Sequence, residues 1–328
     1  MAASTFAVVA RRRLSGAALA VGLLALAWGC TPAAPPAEDV STPAAAPALD
    51  GDALLADIRT LADPAMAGRG AGTDGGLKAR AWIVDRVRAL GLEPLGDDYL
   101  LPFEFPARPD GVVTVGANIA ARCAGTRADA PVMVLTAHYD HLGVREGEIY
   151  HGADDNASGV AVLLALAAEC RRAPFAHTAL FVWFDAEEHG LQGARAFVAS
   201  PPVPRESIAL NVNLDMVSRG DRGELYVAGT HHYPALRAPL DEVAARAPVT
   251  LLFGHDRPED GANDWTLQSD HGPFHQQGIP FVYFGVEDHP DYHRPTDTPE
   301  KIDPVFLGRA AATILDAVRA LDAALLTR

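Results

Sequence analysis

The sequence predicts an α/β protein: a three-layer α/β/α sandwich with a mixed, largely parallel central sheet. Three observations carry this. Apolar runs of strand length alternate with segments whose apolar residues recur every three or four positions. Several runs are continuous rather than alternating, as in strands buried on both faces. Three of them, Val132 to Ala137, Thr178 to Phe184 and Ala209 to Leu214, lead directly into acidic or imidazole side chains. The carboxyl ends of strands are where open α/β sheets gather their ligands.

In chain order, Gly51 to Met66 and Gly76 to Leu90 read as helices, the second closed by Gly91. Strands are expected at Val112 to Ala120, Val132 to Ala137, Thr178 to Phe184, Ala209 to Leu214, Leu225 to Val227, Thr250 to Phe253 and Phe281 to Phe284. Helical spacing returns at Ser158 to Arg172, Gly190 to Ala199, Tyr233 to Arg246 and Pro304 to Leu326. No internal repeat is visible, and residues 50–328 suit a single domain.

The first residues differ from the rest. Arg11, Arg12 and Arg13 precede an apolar run from Leu14 to Gly29 that has no acidic residue, the pattern of an export signal over residues 1–29. The run is short for a membrane span. It ends in Ala27-Trp28-Gly29-Cys30, which resembles a bacterial lipoprotein cleavage site, with Ala27 where Leu is usual. A lipidated Cys30 would tether the protein to a membrane. Ordinary secretion, with Cys30 incidental, is the alternative. Residues 30–49 are rich in Pro and Ala and read as a linker. The expected location is therefore outside a bacterial cytoplasm: membrane-anchored, otherwise periplasmic or secreted. Cys123 and Cys170 are read as two buried thiols, with pairing in an oxidising compartment as the alternative. The formal net charge of −15 argues against a nucleic-acid partner, which would need clustered Lys and Arg.

Five polar segments carry the chemistry: His138-Tyr139-Asp140, Asp154-Asp155 in a Gly-bounded loop, Glu187-Glu188, Asp215, and His293 in a polar loop. Together they offer two imidazoles and several carboxylates, the donor set of a two-metal hydrolytic site. Asp140, two residues after His138, is placed to take that ring's other nitrogen. Asp155 has the freedom to bridge two ions. Of the adjacent glutamates, one must hold metal while the other stays free to move a proton. Asp154 reads as structural, and His141 and His189 as solvent-facing or supporting groups rather than ligands.

These segments resemble the bacterial two-zinc leucyl aminopeptidase family, relatives of glutamate carboxypeptidase and glutaminyl cyclase. Met66 to Thr73 is similar to an early loop of that family, and Ser269-Asp270-His271 with Pro273-Phe274 to a late one on the substrate side. The resemblance implies the zinc exopeptidase fold and two Zn²⁺ ions. His138, Asp155 and Asp215 would hold one, and Asp155, Glu188 and His293 the other. Glu187 would be the general acid/base, with Asp140 assisting in the catalytic set, and a zinc-bound hydroxide would attack the N-terminal bond of a peptide substrate. It also implies a cis peptide at Asp155-Asn156. Thr266 stands where some members carry a Tyr over the developing oxyanion, so that donor is unassigned, as is the place of His271. Mn²⁺ or Co²⁺ would also suit such ligands.

Two other readings compete. A carboxypeptidase or other amidohydrolase on the same fold would need a cationic pocket, for which Arg69, Arg219, Arg222 and Arg294 are available. A catalytically dead binding lipoprotein should have lost ligands or the base, and none is missing.

Overall fold

The computed structural model describes residues 49–95, 98–106, 111–127 and 129–326. The expected leader, Cys30 and all but the last residue of the expected linker lie outside this range. The described strands are β1 (Glu93–Pro94), β2 (Leu100–Pro106), β3 (Val113–Cys123), β4 (Val132–His138), β5 (Val144–Arg145), β6 (Glu148–Ile149), β7 (Thr178–Phe184), β8 (Ile208–Leu214), β9 (Glu224–Ala228), β10 (Thr250–Phe253) and β11 (Phe281–Gly285). The helices are α1 (Gly51–Leu61), α2 (Asp74–Ala89), α3 (Gly159–Arg172), α4 (Gln192–Ala199), α5 (Arg237–Ala244), α6 (His271–Gln276) and α7 (Pro304–Leu325).

One sheet runs β1-β3-β7-β4-β8-β11-β9-β10, with β2 also paired to β3, and β5-β6 forms a small separate ribbon. The pairs β7-β4, β4-β8, β8-β11 and β9-β10 are parallel. Antiparallel pairs join β3 to β7 and β11 to β9. The expected mixed, largely parallel sheet is therefore present. Strand β4 lies between β7 and β8, so the chain leaves it to one side and later returns on the other. Ligand crevices form at such a switch point, beyond the strand carboxyl ends.

Side-chain alternation explains the continuous apolar runs. Along β7, Ala179, Phe181 and Trp183 join the larger core while Leu180, Val182 and Phe184 join a second one. The larger core takes residues of α1, α2, α3, α5 and α7. The second takes Ala194, Phe197 and Phe274 from α4 and α6. Both faces are covered, so neither can be polar.

Helix α1 ends at Leu61, short of the expected Met66, because Asp63 precedes Pro64 and a residue before Pro is pushed out of the helical region. The Asp63 carboxylate instead accepts from the Ala65 N–H at 2.8 Å and starts a 3₁₀ turn. Strand β2 was not expected. Its sequence, Leu-Pro-Phe-Glu-Phe-Pro after Leu100, carries Pro102 and Pro106, which are tolerated because the strand lies outside β3. The reading of Cys123 and Cys170 as free thiols is corrected: they form a disulfide, with Cα atoms 6.5 Å apart. The end of β3 lies against α3, a proximity that the sequence spacing does not contain. No described helix is long and apolar enough to cross a membrane.

The disulfide closes a loop of 47 residues. Replacing both cysteines by Ala is expected to lower the unfolding free energy by about 4 kcal/mol, the chain-entropy value for such a loop. Urea unfolding would read this, and an unchanged midpoint would count against the pair.

Candidate active site and metal centre

Three adjacent strand ends bring the polar segments together. His138 is the last residue of β4, Asp185 to Glu188 follow β7, and Asp215 follows β8. Asp155 arrives from the loop before α3, where Asp155-Asn156 is a cis peptide, as the family resemblance implied. Gly152 opens that loop with φ +58°, and a Cβ there would lie 2.1 Å from Asp155 O and 2.5 Å from the His141 ring. Only glycine fits this position.

His138 Nδ1 lies 3.1 Å from the backbone carbonyl of Asp140, while the Asp140 carboxylate is farther away at 3.8 Å. The sequence reading gave that contact to the carboxylate; the carbonyl takes it. A proton on Nδ1 leaves Nε2 unprotonated, and Nε2 faces Asp155 Oδ1 at 3.3 Å and Asp215 Oδ1 at 3.2 Å. The freed Asp140 carboxylate accepts from the backbone N–H groups of Glu187 at 3.0 Å and Glu188 at 3.3 Å. Asp140 thus positions both glutamates.

The second group centres on the other oxygen of Asp155. His293 Nε2 lies 3.1 Å from Asp155 Oδ2 and 3.4 Å from Glu188 Oε2. His141 Nδ1 lies 3.6 Å from Asp155 Oδ2 and 2.9 Å from Glu188 Oε1. The expectation for His141 needs correcting in one respect: it is buried, not solvent-facing. Neither of its ring nitrogens nor Glu188 Oε1 has an aligned hydrogen-bond partner among the described residues, despite the 2.9 Å approach. Atoms so placed point at a common position rather than at each other, as metal ligands do. His138, Asp155 and Asp215 form one set able to hold an ion, and His141, Asp155 and Glu188 another. Imidazole nitrogen and carboxylate oxygen are donors that zinc accepts, so the residues fit the metal that the resemblance implied.

The two glutamates sit in opposed fields. Burial and Asp155 push Glu188 upward, but His141 and His293 bring it down to about 2. Glu187 is driven well above the usual carboxylate range by burial, with Glu188, Asp270 and Asp215 adding repulsion against the pull of His138. The two neighbouring carboxyls thus sit in different environments, Glu188 among imidazoles and Glu187 among carboxylates.

The supporting residues follow the same logic. Ser269 Oγ donates to Asp215 Oδ2 at 2.7 Å, and Asn213 Nδ2 donates to Ser269 Oγ at 2.9 Å. Asp154 turns away, accepting from Ser218 N–H at 2.8 Å and facing His289 Nε2 at 3.2 Å. His189 packs near the Phe105 ring, 5.2 Å between centroids. His271 is buried under Trp265, its Nε2 2.8 Å from the Trp265 carbonyl, and desolvation lowers its pKa to about 3. It is a buried, neutral residue that does not line the cleft. Thr266 bonds to Asp264 and His232, so it does not replace the missing Tyr.

Two groups escaped the sequence reading. Tyr292 lines the cleft of about 420 Å³ that also holds His138, Asp155, Glu187 and His293. Its phenol is kept neutral by burial and neighbouring carboxylates, and none of the described residues hydrogen-bonds to it. Arg195 lines the same cleft. Tyr292 is a single polar residue in a loop and Arg195 one inside α4, and no local pattern distinguishes them.

Arg69 was a candidate for binding a substrate carboxylate, and the structure removes it from that role. It is fully buried and donates to the carbonyls of Tyr139, Leu61, His151 and Gly152 at 2.7–3.0 Å. Arg219 is held by Asp291 at 3.2 Å and Arg222 by Glu224 at 2.7 Å. Neither they nor Arg294 lines the metal cleft.

The sequence profile of peptidase family M28 matches residues 118–318, more than half of the chain. The chain belongs to peptidase family M28. Among curated M28-like relatives, aminopeptidase YwaD of Bacillus subtilis is 31% identical over 201 residues, covering 57% of this chain and 40% of its own. The probable lipoprotein aminopeptidase LpqL of Mycobacterium tuberculosis is 30% identical over 220 residues, covering 59% and 43%. The chain thus spans about two fifths of the length of these relatives. The structure of BSAP, a zinc aminopeptidase from B. subtilis, aligns with 82% of this chain and 94% of its own at TM-score 0.62 and 20% identity. That likeness shows the shared fold.

Arg69→Met would strand buried carbonyls and remove a guanidinium whose charge the acidic cluster favours. The metal-free variant is expected to lose more than about 3 kcal/mol of unfolding free energy, measured by urea titration.

Proposed function

We propose that this chain is an exported zinc aminopeptidase that removes the N-terminal residue of peptides. The observation that carries the reading is the pair of ligand sets sharing Asp155, one completed by His138 and Asp215 and the other by His141 and Glu188, with Glu187 lining the same cleft. His138, Asp155 and Asp215 would hold one Zn²⁺. Asp155, Glu188 and His293 would hold the second, and His141 stands on the inner side of the same carboxylates. Bound there, zinc supplies a Lewis acid for the peptide carbonyl and makes a water acidic enough to react near neutral pH.

The protein's own groups do the rest. Glu187 accepts the proton from the water and delivers it to the leaving amine. Asp140, through the two backbone N–H groups, keeps both glutamates in place. Tyr292, lining the cleft, would offer its phenolic O–H as a hydrogen-bond donor to the carbonyl oxygen as charge develops there, keeping its proton. The names of YwaD and LpqL support the amino-end specificity. The leader pattern supports export, a Cys123–Cys170 disulfide suits an oxidising compartment, and LpqL's name agrees with a lipid anchor at Cys30.

One observation keeps the carboxypeptidase reading in play: Arg195, in the cleft, could hold a substrate carboxylate. Peptides with free or acetylated amino ends decide between them. Release of the first residue from unblocked peptides alone is expected; equal cleavage of the acetylated set would overturn the aminopeptidase reading.

Glu187→Gln is expected to lower kcat by about 10²–10⁴-fold while zinc content and KM stay near those of the parent. Metal analysis after dialysis should find two zinc ions per chain in the parent. His138→Ala and His293→Ala should each retain one, and Asp155→Asn neither. Full occupancy in Asp155→Asn would remove its bridging role.

A further inference from the structure

We propose that Arg80 is a positioning residue for Glu187: it ties the end of β4 to the turn after β7 and so fixes where the Glu187 carboxyl stands. The inference rests on the aminopeptidase reading. Arg80 lies inside α2, with 15% of its side chain exposed. Its Nε donates to the Tyr139 hydroxyl at 2.9 Å, and its Nη2 donates to Asp185 Oδ2 at 2.9 Å. Tyr139 separates His138 from Asp140, and Asp185 stands two residues before Glu187. One guanidinium therefore grips two of the three strand ends that build the site.

The sheet explains why a bridge is needed there. Strand β3 pairs with β7 from Ile119 to Cys123, so the ladder has run out at Ala117. Ala117 is buried, and its backbone groups cannot turn to water. Side chains take them instead. The Ala117 N–H donates to Asp185 Oδ2 at 3.0 Å, and its carbonyl accepts from the Tyr139 hydroxyl at 2.9 Å. Arg80 closes this ring by bonding to that same hydroxyl and that same carboxylate oxygen.

The ring reaches the glutamates through one turn. Asp185 Oδ1 accepts from the Ala186 N–H at 2.9 Å, and Ala186 is held at φ +58°, a conformation that a residue with a Cβ rarely adopts. The next two N–H groups, of Glu187 and Glu188, donate to the Asp140 carboxylate. Three successive N–H groups are thus fixed by two carboxylates, and Arg80 holds Asp185 directly and Asp140 through its neighbour Tyr139. Without the guanidinium, Asp185 becomes a buried carboxylate without its ion-pair partner, and the turn at Ala186 loses the contacts that over-determine it. Glu188 has further holds, with His141 at 2.9 Å and His293 at 3.4 Å. A relaxed turn therefore displaces Glu187 more than Glu188.

Arg80→Met keeps an apolar stem and removes the guanidinium. In zinc-loaded protein with the parent's zinc content, kcat is expected to fall about 10²-fold while KM stays within about twofold. The same substitution is then made in the Glu187→Gln background. A residue that acts through Glu187 loses its effect there, so kcat should change by less than about twofold. An equal fall in both backgrounds would mean a general structural role and would overturn the inference. Parental kcat in Arg80→Met would overturn it too, and leave the aminopeptidase reading standing. Should Arg80→Met not fold, Tyr139→Phe cuts the bridge at its other end while keeping the ring, and enters the same pair of comparisons with an expected fall of about tenfold. A parent that releases no first residue from unblocked peptides would overturn the aminopeptidase reading and this inference with it.

Discussion

Carboxylates crowd around the end of strand β4: Asp140, Asp155, Glu187, Glu188, Asp215 and Asp270 act on one another and on His138 in largely buried surroundings. Such a cluster cannot be ionised and dry without positive charge. Among the described residues, Arg69 is a buried cation whose charge is favoured by Asp155, Asp297, Asp140 and Glu188, although burial lowers its pKa to about 10. The chain supplies three imidazoles facing the carboxylates. The remaining imbalance is what divalent cations would neutralise, and the rest of the site is arranged around that requirement.

The sheet topology makes the crowding possible. Because β4 is flanked by β7 and β8, three strand ends open into one crevice without long loops. Asp155 arrives instead from a loop, fixed by Gly152 at positive φ and by Arg69 bonds to Gly152 O at 2.8 Å and Asp155 O at 3.4 Å. The cation that offsets the charge also holds the backbone carrying Asp155, the carboxylate common to both ligand sets. Asp140 combines two tasks in the same way, with its carbonyl on His138 and its carboxylate on the glutamate N–H groups.

Asp270 shows how far the crowding extends. Both its oxygens are buried without a hydrogen-bond partner among the described residues, and burial raises it to about 7. It adds to the repulsion on Glu187, the residue proposed to carry the proton. The division of labour between Glu187 and Glu188 is therefore set by the groups around each. Their shared place after β7 leaves them chemically equivalent in the sequence.

Much of this was readable along the chain. Continuous apolar runs located β4, β7, β8 and β11 to within a residue or so, because a strand buried on both faces is mainly apolar. The ligand types were readable for a related reason: an acidic or imidazole side chain directly after such a strand has to enter the crevice. The Pro-containing β2 was missed because its place outside β3, not its composition, permits it. What only the tertiary structure decided are contacts between distant segments. They include the Cys123–Cys170 disulfide, the burial of His141 against Glu188, the sequestration of Arg69 among backbone carbonyls, and the place of Tyr292 in the cleft. Periodicity records which way a residue faces within its own element; which partner it meets depends on how the elements pack.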